Sequence, residues 1–519
     1  MPVFSKFRCR RGFYSSEEGS AIEGLIQGFS LALTPTNFFY AALGAILGTA
    51  IGVLPGLGPA ATIALLLPIT FKIPSPLTAV IMLSGIYYGA MYGGSTTSIL
   101  LNIPGEAASV VTCIDGYEMA RQGRAGAALG MAAIGSFFAG TIGILGLQFL
   151  APPLASFALQ FGPPEYAALT FLGLLLAVYL SGTSVLKGVI TGILGLALSL
   201  VGLDSVAGIP RYTLGLLELQ GGIDIITVIM GLFGVGEILY NMESTTEVKI
   251  LTTKIEHIYP TLKDWAASKY AVVRGSFLGF FIGLLPGGGA IIASLVSYAV
   301  EKRLSSFPDR FGKGAIEGVA APESANNSAA TSSFIPLLSL GIPGNPAIAM
   351  IFAALLIHGV QPSPSLITEH PEVFWGVVAS MYIGNAMLLV LNLPLVGIWV
   401  QLLKVRYAIL APIICMVCLI GVFSFQSSFF DVWVMLIFGV IGYFMRKLGF
   451  ESGPLILAFV LGPIFELSIR QSLRLSHGSP EIFFTRPISA ALLAVAALVI
   501  IGYFSIGTRR KKKGHSPSS

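Results

Sequence analysis

The sequence predicts an all-α integral membrane protein whose two repeated halves carry broken or re-entrant helices. Three observations predict it: an apolar composition, long unbroken apolar runs, and a glycine–proline pattern that occurs twice. Of 519 residues, 55% are hydrophobic and 11% charged, with a mean hydropathy of +0.84. Soluble domains carry about 25% charged residues, so this chain lacks the polar residues an aqueous surface needs. In lipid every backbone N–H and C=O must pair internally, which leaves helices or closed barrels. Barrel strands would alternate over about ten residues. Runs such as AALLAVAALVIIGYF, ending at Phe504, are continuous and select helices. About eleven to thirteen such segments are expected, several shorter than the roughly 20 residues of a full span.

Charge sets the expected orientation. Lys6, Arg8, Arg10 and Arg11 precede the first apolar run, and Arg509 to Lys513 follow the last. Short basic flanks mark the cytoplasmic side, so both termini are expected there, and the net charge of +5 needs no nucleic acid to explain it. The organisation read from these signals is a basic segment at 1–20, a first membrane half at 21–240, a cytoplasmic linker at 241–270, a second half at 271–507 and a basic tail at 508–519. Cys415 and Cys418 form a CxxC inside an apolar run, where small helix-packing residues are the expected reading.

The repeat is explicit. GAILGTAIGVLPGLGP from Gly44 matches GSFLGFFIGLLPGGGA from Gly275 without a gap, pairing Gly44, Gly48, Gly52, Pro55, Gly56 and Gly58 with Gly275, Gly279, Gly283, Pro286, Gly287 and Gly289. A second pair follows, STTSILLNIPG ending at Gly105 and the slightly longer TSSFIPLLSLGIPG ending at Gly344. Proline removes a helical hydrogen bond and clashes with the preceding turn, while glycine admits positive φ. Pro55, Gly56 and Gly58, and Pro286, Gly287, Gly288 and Gly289, are therefore expected to break their helices. Gly275–Val300 has basic flanks on both sides, Lys269 and Arg274 before it, Lys302 and Arg303 after it. A hairpin returning to one side satisfies both. Mirrored, interrupted apolar segments point to a transporter binding site.

Polar clusters lie beside these breaks. Ser95, Thr96, Thr97, Ser98 and Asn102 precede Gly105; Asn326, Asn327, Ser328, Thr331, Ser332 and Ser333 precede Gly344. Free N–H groups, hydroxyls and amides can bind an anion, and their oxygens suit a hard cation such as Na⁺. The alternative is interhelical hydrogen bonding. Glu323, in APESANNSAATSS, reads as a carboxylate in a membrane-level loop, expensive unless paired and a candidate for ion coupling. Asp115, Glu118, Arg121 and Arg124 read as a solvated loop. LPGGGA lacks the Gly-Lys-Ser/Thr ending of a phosphate-binding loop, no G-x-S-x-G elbow occurs at the clusters, and no His/Cys metal spacing occurs. An enzyme is not expected, nor a cofactor beyond a coupling cation. The rival within transport is a carboxylate or anion channel.

GVLPGLGPAATIALLLPITF, YGGSTTSILLNIPGEAASVVTCIDGYEMARQGRAGAALG, GLLPGGGA and APESANNSAATSSFIPLLSLGIPGNPAIAM resemble the large membrane subunit of the tripartite tricarboxylate transporters, over roughly Phe38 to Phe504. The resemblance implies a bacterial inner-membrane importer of citrate or another small carboxylate, driven by an ion gradient, commonly Na⁺. It also implies two partners: a small membrane subunit and a periplasmic substrate-binding protein.

Overall fold

A computed structural model describes residues 17–513 apart from 55–57, 181–183, 205, 244–257, 288 and 404–406. Pro55, Gly56 and Gly288 therefore lie outside the described residues, as do residues 244–257 of the stretch read as a linker. The all-α expectation holds. The helices are α1 (Glu17–Ala32), α2 (Pro35–Gly52), α3 (Pro59–Thr70), α4 (Pro76–Leu101), α5 (Thr112–Arg121), α6 (Ala125–Ala158), α7 (Pro163–Leu180), α8 (Val185–Ser199) and α9 (Ile225–Glu243, with a π-helical stretch at Met230–Val235). The second half holds α10 (Leu262–Gly283), α11 (Gly289–Leu304), α12 (Glu317–Ser332), α13 (Phe334–Leu340), α14 (Pro346–Ile357), α15 (Pro371–Asn392), α16 (Val396–Leu402), α17 (Tyr407–Gln426), α18 (Phe429–Lys447), α19 (Gly453–Leu475) and α20 (Pro487–Lys513). The only strands among the described residues are β1 (Gly202–Leu203) and β2 (Pro210–Arg211), paired antiparallel.

Among the described residues, six helices (α6, α7, α9, α15, α18 and α19) are long and apolar enough to cross a membrane. The α1–α2 pair, bent by 82°, makes a seventh if it counts as one span, and α3, α8, α14 and parts of α17 and α20 are shorter apolar helices. Polarity is distributed inside out. Phe277 and Phe281 of α10, Met416 of α17, and Trp433, Ile437 and Phe444 of α18 are exposed, while Ser95, Thr97, Glu106, Glu323, Asn326 and Asn327 are buried. Water would penalise such large exposed apolar faces; lipid accepts them.

The second glycine-rich break makes a hairpin. Arg274, on the approach along α10, donates through Nε and Nη2 to the Glu301 carboxylate near the end of α11, at 2.8 and 2.6 Å. The two helices therefore run antiparallel, and Lys269 and Lys302 sit toward its open end. At the tip Gly287 adopts φ +107°, and a Cβ there would lie 2.5 Å from the Ala177 Cα. Its N–H donates to the Gly344 carbonyl at 2.7 Å, joining one helix break to the other.

The repeat reappears as packing. Gly44, Gly48 and Gly52 of α2 lie against the carbonyls of Met82, Ile86 and Ala90 on α4; Gly275, Gly279 and Gly283 of α10 lie against those of Ala321, Ala325 and Ala329 on α12. Met82 and Ala321 are thus equivalent positions, and the same register pairs Gly105 with Gly344. The second repeat is longer between its glycine helix and the helix beneath. Both long helices end on a left-handed residue in matching places, Asn102 at φ 58° and Gly341 at φ 72°. The halves then exchange arms. α6 of the first half leans on α12 (Gly135 against Ser324, Gly143 against Thr331), and α15 of the second leans on α4 (Gly376 against Leu77, Gly384 against Tyr88). Gly135 and Gly143 share their spacing with Gly376 and Gly384.

One end of the bundle gathers base. Arg124 donates to Asp264 at 2.5 Å, Gln122 donates to the Lys313 carbonyl at 2.8 Å, and Lys302, Arg303 and Arg310 lie on the adjoining α11 end and loop. Asp115, read as a solvated-loop residue, is instead fully buried. It accepts the N–H groups of Gly312, Gly314 and Ala315 at 2.8–2.9 Å and the Tyr298 hydroxyl at 2.8 Å, because the loop's turning backbone has no other acceptor there. Glu118 and Arg121, also read as loop residues, lie in helix α5 and pair with each other at 2.9 Å near solvent. α6 starts at this end, while Val396, just past α15, shares a buried cluster with Ala120, Ala125 and Leu129. The two arms thus run in opposite directions. α10 begins at Leu262, within the stretch read as linker, on a capping box of Thr261 and Asp264.

Away from this end, β1 and β2 are held to α19 by charge. The N–H groups of Ala207 and Val206, then Arg470, hold the Asp204 carboxyl at about 2, and Arg211 pairs with Glu466 at 2.6 Å.

Gly279→Leu tests the glycine interface. A Cβ at this position would meet the Ala325 carbonyl oxygen at 2.2 Å, so the helices must separate, a change that costs about 1–3 kcal/mol or more. Thermal unfolding of the purified variant should show a clear loss, whereas Gly397→Leu, with open space around it, should unfold like the parent.

Candidate functional site

The polar clusters meet where α4, the turn after it, the start of α5 and α12 cross. Ser95 to Ser98 lie inside α4, and Asn326 to Ser332 inside α12. Neither cluster is in an unwound loop. Glu323 is likewise a mid-helix residue and not a loop carboxylate. Its helix tolerates Pro322 near its first turns and is built of small residues, so close packing against α10 and α6 holds it.

Glu323 is 1% exposed. Ser95 Oγ donates to its Oε2 at 2.5 Å, and Thr112 Oγ1 donates to its Oε1. A second buried carboxylate, Glu106, stands directly after the Gly105 break. Its Oε2 accepts the Ala108 N–H at 2.6 Å, capping the short 3₁₀ turn Ala107–Val110, and its Oε1 accepts Asn326 Nδ2 at 3.1 Å. Ser98 Oγ donates to Ser109 Oγ at 2.8 Å, and Ser109 donates to the Glu106 carbonyl at 2.8 Å. Asn327 Nδ2 donates to Ser136 Oγ of α6 at 2.7 Å. Both carboxylates are thus wired to hydroxyls and amides, and among the described residues neither forms an ion pair. An ionised carboxylate buried without a counter-charge is destabilised by several kcal/mol, and inside a membrane such groups mark function.

The Glu106–Asn326 contact has a partner across the repeat. Asn345 follows Gly344 as Glu106 follows Gly105, and Tyr87 holds the place in α4 that Asn326 holds in α12. Asn345 Nδ2 donates to the Tyr87 hydroxyl at 3.0 Å. The two break loops therefore reach across to each other's helices in matching ways, one with a carboxylate and one with an amide.

The other sequence candidates divide. Gly105 belongs to the site's frame: a Cβ there would lie 2.6 Å from the Gly52 carbonyl. Gly344 accepts from Gly287. Thr97 donates to the Val53 carbonyl at 2.5 Å, fastening α4 to the end of α2. Thr331, Ser332 and Ser333 donate to carbonyls of their own helix. Thr96 lines a small cavity with Ser95 and Ser136, and the Ser328 hydroxyl is buried without a partner. Asn102 caps α4 and is exposed, outside the cluster. Gly58 precedes α3 with nothing near its Cβ position, and Pro286 and Gly289 flank the hairpin tip. Glu106, Thr112, Ser136 and Asn392 are residues the sequence reading did not assign. For Glu106 a signal exists: a carboxylate directly after a Pro-Gly break in an apolar context.

The sequence model of the tripartite tricarboxylate transporter TctA family matches residues 38–457. An uncharacterized 52.8 kDa protein of the TAR-I ttuC' 3' region in Agrobacterium vitis is 50% identical over 493 residues, covering 95% of this chain and 98% of that protein. An uncharacterized protein of the TAR-II ttuC' 3' region in the same organism is 48% identical over 223 residues, covering 43% of this chain and 92% of that protein. No solved structure matches.

Glu106→Gln keeps the side-chain shape and removes the charge. If Glu106 serves the bound state, the half-saturating concentration of substrate or coupling ion should rise about tenfold or more. Thermal stability should hold or improve, because a desolvated charge has been removed. Uptake measured beside thermal unfolding separates the roles, and loss of stability with unaltered half-saturation would make Glu106 a packing residue.

Proposed function

Because the chain belongs to the tripartite tricarboxylate transporter TctA family, we propose that it is the large membrane subunit of a secondary active importer for a small citrate-like di- or tricarboxylate. The observation that carries the reading is the pair of buried carboxylates, Glu106 and Glu323, without an ion-pair partner among the described residues, where the Gly105 turn meets α4 and α12. Two ionised carboxylates here would repel an anionic substrate. A cation entering with the substrate neutralises them, which makes co-transport chemically sensible. The oxygen-rich surroundings favour a hard cation, Na⁺. Asn326, Asn327, Ser95 and Thr96 supply the polar side chains for the bound state, with the Gly105 and Gly344 loops beside them.

Orientation follows from charge. The end bearing Arg121, Arg124, Lys263, Lys269, Lys302, Arg303, Arg310 and Lys313 faces the cytoplasm of a bacterial inner membrane under the positive-inside rule. The α10–α11 hairpin then enters from the cytoplasm. Because α6 and α15 run oppositely, the halves form an inverted repeat, the arrangement in which many secondary transporters hold substrate at the midplane. The family's tripartite character supplies the partners: a small membrane subunit, and a periplasmic binding protein that delivers substrate.

Proteoliposomes containing both membrane subunits test this. Labelled citrate-like acids should accumulate only with an inward Na⁺ gradient and the loaded binding protein, without ATP. Uptake that survives collapse of the gradient, or that passes unsaturably like a pore, would contradict the reading.

A further inference from the structure

A cavity of about 10 Å³, room for about one water-sized species, lies one hydrogen bond from Glu323, behind Ser95; half of its wall is Tyr92, Leu129, Ala132 and Ala133. α4 contributes Ser95 and Thr96 to its wall, α6 contributes Ser136, and α15 contributes its last residue, Asn392. Asn392 is 4% exposed. Its Nδ2 donates to the Leu388 carbonyl at 3.0 Å, and its Oδ1 has no hydrogen-bond partner. Asn327 adjoins through Ser136, and its Oδ1 is also buried and unpartnered. Ser95 gives its proton to Glu323, so toward any third group it can only accept. The polar half of the wall therefore offers oxygen lone pairs, with the Glu323 carboxylate one hydrogen bond behind Ser95, and no cationic side chain pairs with that carboxylate among the described residues.

We propose that this cavity is a dehydrated site for a small alkali cation, Na⁺. Oxygens of Ser95, Ser136 and Asn392 are its neutral ligands, and Glu323 is its counter-charge. The assignment rests on the transport reading above and names where its coupling ion sits. A water molecule could donate to the unpartnered amide oxygens but would leave the carboxylate's charge in place. A single cation answers both requirements. With one carboxylate and room for one water-sized species, the site suits a monovalent ion better than a hydrated divalent one. Its walls come from both halves, α4 and α6 from the first and α15 from the second. Filling it ties the crossing arms together, which is what coupling an ion to a conformational cycle requires.

Thermal unfolding of the full chain in detergent, without any carboxylate, tests the site directly. NaCl is titrated against choline chloride at constant ionic strength. Na⁺ should stabilise the parent saturably. Asn392→Ala and Ser136→Ala should each raise the half-saturating Na⁺ concentration about tenfold or more. Ser380→Ala, which removes a hydroxyl bonded to the Val377 carbonyl at 2.7 Å, should keep the parent value. Ser136→Ala removes one oxygen atom and keeps the test open if Asn392→Ala misfolds. A parent indifferent to Na⁺ would mark the cavity as holding buried water only and overturn the proposal. So would unchanged half-saturation in both variants, or stabilisation by acid and not by Na⁺, which would put a proton on Glu323. Uptake is read separately. Na⁺ stabilisation lost in the variants, together with failure to move any carboxylate, would leave the ion site standing and remove the transport reading.

Discussion

Backbone contact through glycine is the constraint on which the rest of this structure depends. Along α2 and α10, glycines at every fourth position let each helix lie directly on the carbonyls of α4 and α12. In a bilayer, where apolar side chains gain nothing by leaving lipid, such close approach is a main source of helix association. Its consequence is positional. With α2 and α10 seated, the end of α2 at Gly52 and the hairpin tip at Gly287 fall beside Gly105 and Gly344. Gly105 fits against the Gly52 carbonyl and the Gly94 Cα because it carries no side chain, and Gly287 donates to the Gly344 carbonyl from a positive-φ backbone. The loops then place Glu106 and Asn345 against Asn326 and Tyr87 of opposite halves.

That crossing explains why polar residues are stable in an apolar protein. Ser95, Thr112, Ser98, Ser109 and Asn326 hydrogen-bond one another or the two carboxylates, so few polar groups lie buried without partners. Among the described residues the unpartnered exceptions are the Ser324 and Ser328 hydroxyls and the Oδ1 atoms of Asn326, Asn327 and Asn392, on α12 or at the end of α15, and single atoms of Ser84, Tyr88, Arg211 and His358 elsewhere. Native structures leave few such groups, and each calls for a reason. Five of these nine groups lie close to the two buried carboxylates, which is the reason for proposing the ligand site here, while Thr97, Thr331 and Ser333 bond to backbone carbonyls.

Much of this was legible in the sequence because glycine and proline report backbone geometry directly. The match between Gly44 and Gly275 is a packing register, and the packing shows it. The hairpin at Pro286 was legible from its basic flanks. The place where the second repeat lengthens was not, because the loop between α11 and α12 shares no glycine or proline spacing with the short loop between α3 and α4. Glu323 was misread as a loop residue since Ser, Asn and Pro around it favour turns in water; in this buried helix the neighbouring side chains bond across helices or to their own backbone instead. Asp115 was misread because charge suggested solvent, whereas three backbone N–H groups from another segment surround it. Glu106 and Asn392 were missed because single polar residues at helix ends usually cap, and only the fold brings them to the junction.

The account stands on one claim: substrate and ion bind where the Gly105 and Gly344 loops cross, between Glu106, Glu323 and Asn326. An experimental structure of the membrane complex with Na⁺ and a transported carboxylate tests it most directly. The account predicts ligand density within hydrogen-bonding distance of Asn326 or Asn327, with a cation beside Glu323. Ligand density elsewhere in the bundle, with the Glu106–Asn326 bond and the Glu323 contacts unaltered, would contradict it.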